Sequence, residues 1–188
     1  MTQLRETTRR SPAGRRTKAG TVLGAATVAM GLIAGVFCIF ARAVMPALHR
    51  SSDRVFIEAM QNINDVIQNP VFFLSFMGAL LLTAVSAWQL RRDACGRWVW
   101  AALVAYALVF LITGAFDIPL INDLANAGSP ARITDPAAVR EHFENPWGAW
   151  NAVRALLSTV ALGCLATALV PYGRFSSPAG THRRTWDA

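Results

Sequence analysis

This chain lacks most of what a soluble enzyme carries. Its three cysteines, Cys38, Cys95 and Cys164, stand apart. Without a Cys-x-x-Cys pair there is no signature of a dithiol redox centre or a zinc site, and they read as small packing residues. A quinone reductase working through a dithiol is disfavoured for the same reason. His49, His142 and His182 are too scattered to ligate a metal together and read as solvated loop residues. No glycine-rich phosphate loop, nucleophile elbow or His-Glu-x-x-His run is present. No segment repeats at a period of about 20 to 50 residues. Neither a metal nor a cofactor is expected from the residues.

Charge is also missing, and in a pattern. Of the 188 residues, 54% are hydrophobic, and they gather into four stretches nearly free of charge, at about 20–42, 70–90, 98–117 and 147–170. At about 1.5 Å per residue, each covers a hydrocarbon core of roughly 30 Å. The expected fold is therefore an all-α, four-transmembrane-helix bundle over residues 19–170, with the lipid bilayer as its partner. Trp98 and Trp100 would open the third span at headgroup depth.

The net charge of +7 would suggest nucleic acid if it lay on one face, but topology segregates it. Arg5, Arg9, Arg10, Arg15, Arg16 and Lys18 precede the first span. Arg91, Arg92 and Arg97 occupy the second hairpin loop, and Arg174, Arg183 and Arg184 follow the fourth span, making twelve of eighteen basic residues. Asp53, Glu58 and Asp65 fall in the first long connection; Asp117, Asp123, Asp135, Glu141 and Glu144 fall in the second. The positive-inside rule then puts both termini and the short loop in the cytoplasm of a multi-pass cell-membrane protein, with no nucleic-acid partner. The first apolar stretch is about twice a usual signal-peptide core, so it is expected to stay uncleaved despite Ala41-Arg42-Ala43. Residues 1–18 and 171–188 are expected to be disordered tails.

Between the spans, Pro46 is expected to stop the first helix. Residues 52–69 should form an amphipathic helix, with Phe56, Met60, Ile63 and Ile67 opposite Glu58, Gln61, Asn62 and Asp65. Such a helix either lies in the outer interface or closes over the bundle as a lid. Roughly thirty residues separate the third and fourth spans, too many for a simple connector. Pro130, Pro136 and Pro146 should break this long structured loop. Asp135 to Phe143 fits a short helix with an Asp cap and a proline at its first position.

Helical phase suggests which faces meet protein. Gly20, Gly24, Gly31 and Gly35 fall within roughly 60° of one another, with Cys38 and Arg42 on the same stripe, as a close-packing seam requires. Arg42 would either snorkel to the interface or cap a cavity. Tyr106, Phe110, Thr113 and Asp117 share a face of the third span; Trp147, Trp150, Asn151, Arg154 and Ser158 share one on the fourth. Lipid cannot satisfy such groups. Arg154 is the most informative, since a central, unpaired charge costs about 2.5–3.5 kcal/mol. Its expected partners are Asp117 and Asp123, beside Asn122. Two readings stand: an ion pair that only sets helix register, or a site in which Arg154, Asn151 and Asn122 hold an anionic or carbonyl-bearing ligand.

Three motifs add to this reading: Met60-Gln61-x-Ile63-Asn64 after the first span, Pro119-Leu120-x-Asn122-x-Leu124 after the third, and Trp147-x-x-Trp150-Asn151-x-x-Arg154 opening the fourth. With four spans they resemble the anthrone oxygenase-like membrane proteins, long catalogued as a domain of unknown function, over about residues 20–170. The chain departs from that pattern at Asp117, where Asn is usual, and at Ile121, an extra residue. The resemblance implies a small lipophilic aromatic ligand, anthrone- or quinone-like, entering from the outer leaflet side. It also implies oxidation of an anthrone by molecular oxygen without a metal or flavin. Chemistry of that kind needs a base and a cation for the developing oxyanion. By resemblance Asp117 or Asp123 is the base, and Arg154 with Asn151 and Asn122 stabilises the anion. Trp150 and Tyr106 would stack on the rings, and Gln61 and Asn64 would complete the ligand contacts. The alternative is a non-catalytic membrane protein that binds lipophilic molecules or serves as a partner subunit. The oligomeric state is left open.

Overall fold

The computed structural model describes residues 12–174, with side chains described from 17 to 170. Residues 1–11 and 175–188, which hold most of the two expected tails, lie outside the described residues. The α-helices are α1 (Pro12–Ile39), α2 (Met45–Leu48), α3 (Asp53–Ile67), α4 (Pro70–Gln89), α5 (Gly96–Ile112), α6 (Ile118–Asn126) and α7 (Pro136–Arg174).

Proline does not punctuate this fold as expected. A π turn, Phe40–Val44, joins α1 to α2, and Pro46 lies just beyond it. A second π turn, Thr113–Asp117, joins α5 to α6, with Pro119 in the same relative place. A proline withholds one N–H and pushes away the carbonyl four residues back, so the ladder widens by one residue before it. The first and third spans therefore continue as rods, Thr17–Leu48 and Gly96–Asn126, instead of stopping.

The expected break at Pro146 is corrected in the same way, because the short helix and the fourth span are one element, α7. Asp135 Oδ1 accepts from the Ala138 N–H at 3.0 Å and Pro136 opens the helix, as the sequence suggested. Phe143 and Trp147, one turn apart across Pro146, stack at 5.8 Å and are both buried. That packing holds the backbone helical past the missing N–H. At α4, Asn69 Oδ1 caps the start by accepting from the N–H groups of Val71 and Phe72, each at 3.0 Å.

Four helices are long and apolar enough to cross a membrane, within Thr17–Leu48, Pro70–Gln89, Gly96–Asn126 and Pro136–Val170. α1 and α5 each pack against both α4 and α7, so the spans close a ring around one core. α1 contributes Leu23, Ala26, Met30, Ile33 and Phe37 at alternating spacings of three and four. α5 contributes Val99, Ala102, Tyr106 and Val109, and α7 contributes Ala161, Leu165 and Ala168. The outer faces carry Val28, Leu32, Leu74, Leu81, Leu111 and Leu156, all exposed. Rows of exposed leucine and valine on every span match hydrocarbon, not water, so this is a multi-pass membrane protein. Four crossings bring both ends of the described chain to one face. Near that face Arg91 lies over Trp88 at 5.4 Å and Arg97 over Trp98 at 5.5 Å, the aromatic and basic belt of a headgroup region.

The glycine stripe of α1 is only partly a seam. Gly31 would meet Leu162 at 3.7 Å, and Cys38 Sγ approaches Thr159 Oγ1 to 3.7 Å, but open space faces Gly24 and Gly35. Larger core residues make the contact instead, and Arg42 is exposed, not capping a cavity.

At the opposite face a second cluster forms a cap, built from Met45, Phe56, Ile57, Met60, Leu124, Ile133, Phe143 and Trp147. Here α3 buries its apolar stripe against α6 and α7, which is the lid arrangement. Each large apolar side chain buried this way contributes about 1.5–3 kcal/mol. Arg140 ties the cap to α7. Its Nε lies 2.6 Å from Glu144 Oε2, its Nη1 donates to Asp53 Oδ1 and the Ser51 carbonyl at 2.9 Å, and its Nη2 donates to the His49 carbonyl at 2.9 Å.

Candidate functional site

The second π turn and α7 place the central group. The extra residue in Thr113–Asp117 turns Asp117 into the bundle, where it has 0% exposure. Arg154 of α7, itself 5% exposed, brings Nη2 to 2.8 Å from Asp117 Oδ1. The approach is off the N–H axis, so neither carboxylate oxygen is satisfied by a hydrogen bond, and Arg154 Nε is also without a partner.

Neighbours hold the guanidinium in place. Arg154 Nη2 donates to Asn151 Oδ1 at 3.4 Å, and Nη1 donates to Thr113 Oγ1 at 3.5 Å. The guanidinium carbon sits 4.6 Å from the Phe37 ring and 5.7 Å from the Trp147 ring. Cation–π contact in a desolvated place is worth roughly 2 kcal/mol, which offsets part of the burial cost. Asn151 Nδ2 donates to the Phe37 carbonyl at 3.1 Å, so this amide is occupied in joining α1 to α7 and orienting Arg154. Beside the pair in sequence, Phe116 and Trp150 stack at 4.0 Å and 12°, Phe116 being exposed and Trp150 half-buried. Chemically, the arrangement offers a buried carboxylate as base and a guanidinium with an unspent N–H, with the Phe37 and Trp147 rings against the cation.

The structure separates the remaining candidates from this pair. Asp123 is turned to the surface, where its Oδ2 lies 3.5 Å from His142 Nε2; as a partner for Arg154 it is replaced by Asp117 alone. Tyr106 is fully buried in a protein-only aromatic stack with Phe76 and Phe110, and its hydroxyl donates to the Phe76 carbonyl at 3.1 Å. It braces α4 against α5. Asn122 is exposed, and with Gln61 and Asn64 it lines a groove of about 340 Å³ between α3 and α6. Gln61 Nε2 donates to the carbonyls of Leu124 and Gly128, at 2.8 and 3.1 Å, closing the end of α6.

Sequence reasoning missed Phe37 and Phe116. Neither stands out from the apolar residues around it, and only the pairing of α1 with α7 and the π turn give them roles. It also missed the fully buried hydroxyls of Thr83 and Ser86 on α4.

Fold and site together define a small multi-pass helical membrane protein with a charged pair in its interior. The segment 70–164, which contains Asp117, Asn151 and Arg154, matches the family model described as anthrone oxygenase. That segment is half of the chain, and the chain belongs to the anthrone oxygenase family. No curated protein and no solved structure matches it.

Proposed function

We propose that this protein oxidises a small lipophilic aromatic molecule of the anthrone type with molecular oxygen. The reading is supported by the family and carried by one observation: a fully buried carboxylate 2.8 Å from a buried guanidinium that keeps an unpartnered N–H.

In this reading Asp117 removes a proton from the methylene carbon opposite the ketone, and Arg154 holds the ketone oxygen as it becomes an enolate oxyanion. Two electrons from the carbanion and two more from the second C–H bond pass to oxygen, in steps whose sum is anthrone plus O₂ giving anthraquinone plus water. Asn151 acts as a positioning residue through its contact with Arg154. Trp150 and Phe116 guide a planar ligand from the bilayer. Basic segments on the terminal face favour termini in the cytoplasm of a cell-membrane protein, with the cap outside.

A second reading rests on the contacts of Arg154 with the rings of both Phe37 and Trp147, which suit a strut between helices. Oxygen uptake with anthrone in lipid nanodiscs separates them. Acceleration over empty nanodiscs that disappears in a folded Arg154→Leu protein supports catalysis. No acceleration by the wild type refutes it and leaves the strut.

A further inference from the structure

We propose that the groove between α3 and α6 is a separate, water-facing binding site for a neutral, polyhydroxylated ring. This goes beyond the oxidation reading and stands on the groove's residues alone.

The observation that points to a ligand is Asn64. Its side chain lines the groove, the residue is only 7% exposed, and its Nδ2 has no hydrogen-bond partner. A buried amide donor left unpaired is costly, and folded proteins rarely retain one without a use. The polar part of the wall is uncharged apart from one acid. Gln68 and Asn122 add carboxamides, Gln61 adds its amide oxygen, its nitrogen being spent on Leu124 and Gly128, and Asp65 adds a carboxylate.

Carboxamides donate and accept together, and a carboxylate accepts strongly from hydroxyl groups. No lysine, arginine or histidine lines the groove, so it offers nothing to neutralise a phosphate or a carboxylate. Ile121, Leu124 and Ala125 give an apolar strip on which the face of a ring can lie. The volume, about 340 Å³, falls at the lower end of the range of roughly 300–1,000 Å³ usual for small-molecule sites. Ile121 and Asn122 lie about one turn beyond Asp117 on the same rod, and neither Asp117 nor Arg154 lines the groove.

Phenols and sugar-like polyols share this hydroxyl-bearing ring. Saturation-transfer NMR on the full-length protein in nanodiscs, with empty nanodiscs subtracted, tests both through phloroglucinol and myo-inositol. Transfer to phloroglucinol alone assigns a phenolic occupant, and transfer to myo-inositol as well assigns a polyol; either supports the site. The signal is expected to fall about tenfold in Asn64→Leu and in Asn122→Leu, each removing a groove hydrogen-bonding group. Asn64→Leu should melt at or above the wild-type temperature, because it removes an unpaired buried donor. Absence of transfer to both probes, an undiminished signal in both variants, or a lower melting temperature for Asn64→Leu overturns the proposal.

Discussion

Replacing Arg154 with leucine while Asp117 stays in place strands a carboxylate that has no exposure to solvent or lipid. Breaking a buried pair from one side costs about 3–5 kcal/mol, because the remaining charge keeps its desolvation penalty and loses its counter-charge. At about 2–4 °C per kcal/mol for a chain of this size, the melting temperature should fall by about 6–20 °C. Asp117→Leu should fall by a similar amount, since it leaves a guanidinium whose Nε already lacks a partner. The double variant, Asp117→Leu with Arg154→Leu, replaces two buried charges by apolar volume and should lie within about 1 kcal/mol of the wild type. The coupling energy is then about 5 kcal/mol or more in magnitude, far outside the additivity of independent sites. Thermal unfolding in one detergent, followed by tryptophan fluorescence, reads all four proteins. If the two single losses simply add, or if neither exceeds 2 °C, roughly the value of half a kcal/mol, the side chains are hydrated and the interior pair has been misread.

The cap and the hairpin give further checks. Arg140→Ala removes charge-assisted bonds to Glu144 and Asp53 and two carbonyl contacts. It should loosen α3 by roughly 1.5–3 kcal/mol, visible as faster hydrogen exchange over residues 53–67 with the bundle unchanged. Gly96→Ala places a Cβ against the Leu90 carbonyl in the turn between α4 and α5. A loss of about 1–3 kcal/mol in thermal stability is expected, and an unchanged melting temperature argues against this turn. Burial, with the carboxylate of Asp93 adding to it, pushes the Cys95 thiol above its ordinary range. Less thiolate is then present at pH 8, and in a Cys38→Ser, Cys164→Ser background maleimide should label Cys95 more slowly than free cysteine. Equal rates contradict that environment.

The four spans were legible because long uncharged runs have few other solutions, and α3 because its apolar period is regular. Its burial against protein was open, since lipid and a protein cap reward the same stripe. The two π turns were not legible. A proline in a helix ends it or widens it according to packing on both sides, and the stacked Phe143 and Trp147 that carry α7 through Pro146 come together only in the fold.

The same uncertainty governed the site. With the third span read as ending at Asp117, the residues Asp117, Asn122 and Asp123 looked like neighbours of Arg154. Once the rod continues, Asn122 is about 140° and Asp123 about 240° away from Asp117 in phase, so one carboxylate faces the bundle and the other faces solvent. Arg154 itself was readable from charge in an apolar run, because burial of a guanidinium demands a partner. Phe37 was not, as nothing local marks which phenylalanine a distant cation will meet.

Oxygen consumption with anthrone, comparing nanodisc-embedded wild type with the folded Asp117→Leu, Arg154→Leu protein, bears most directly on the interior pair as reaction centre. The wild type should outpace empty nanodiscs, and the pair-less protein should fall back to their rate. Equal turnover by both proteins would place the chemistry elsewhere.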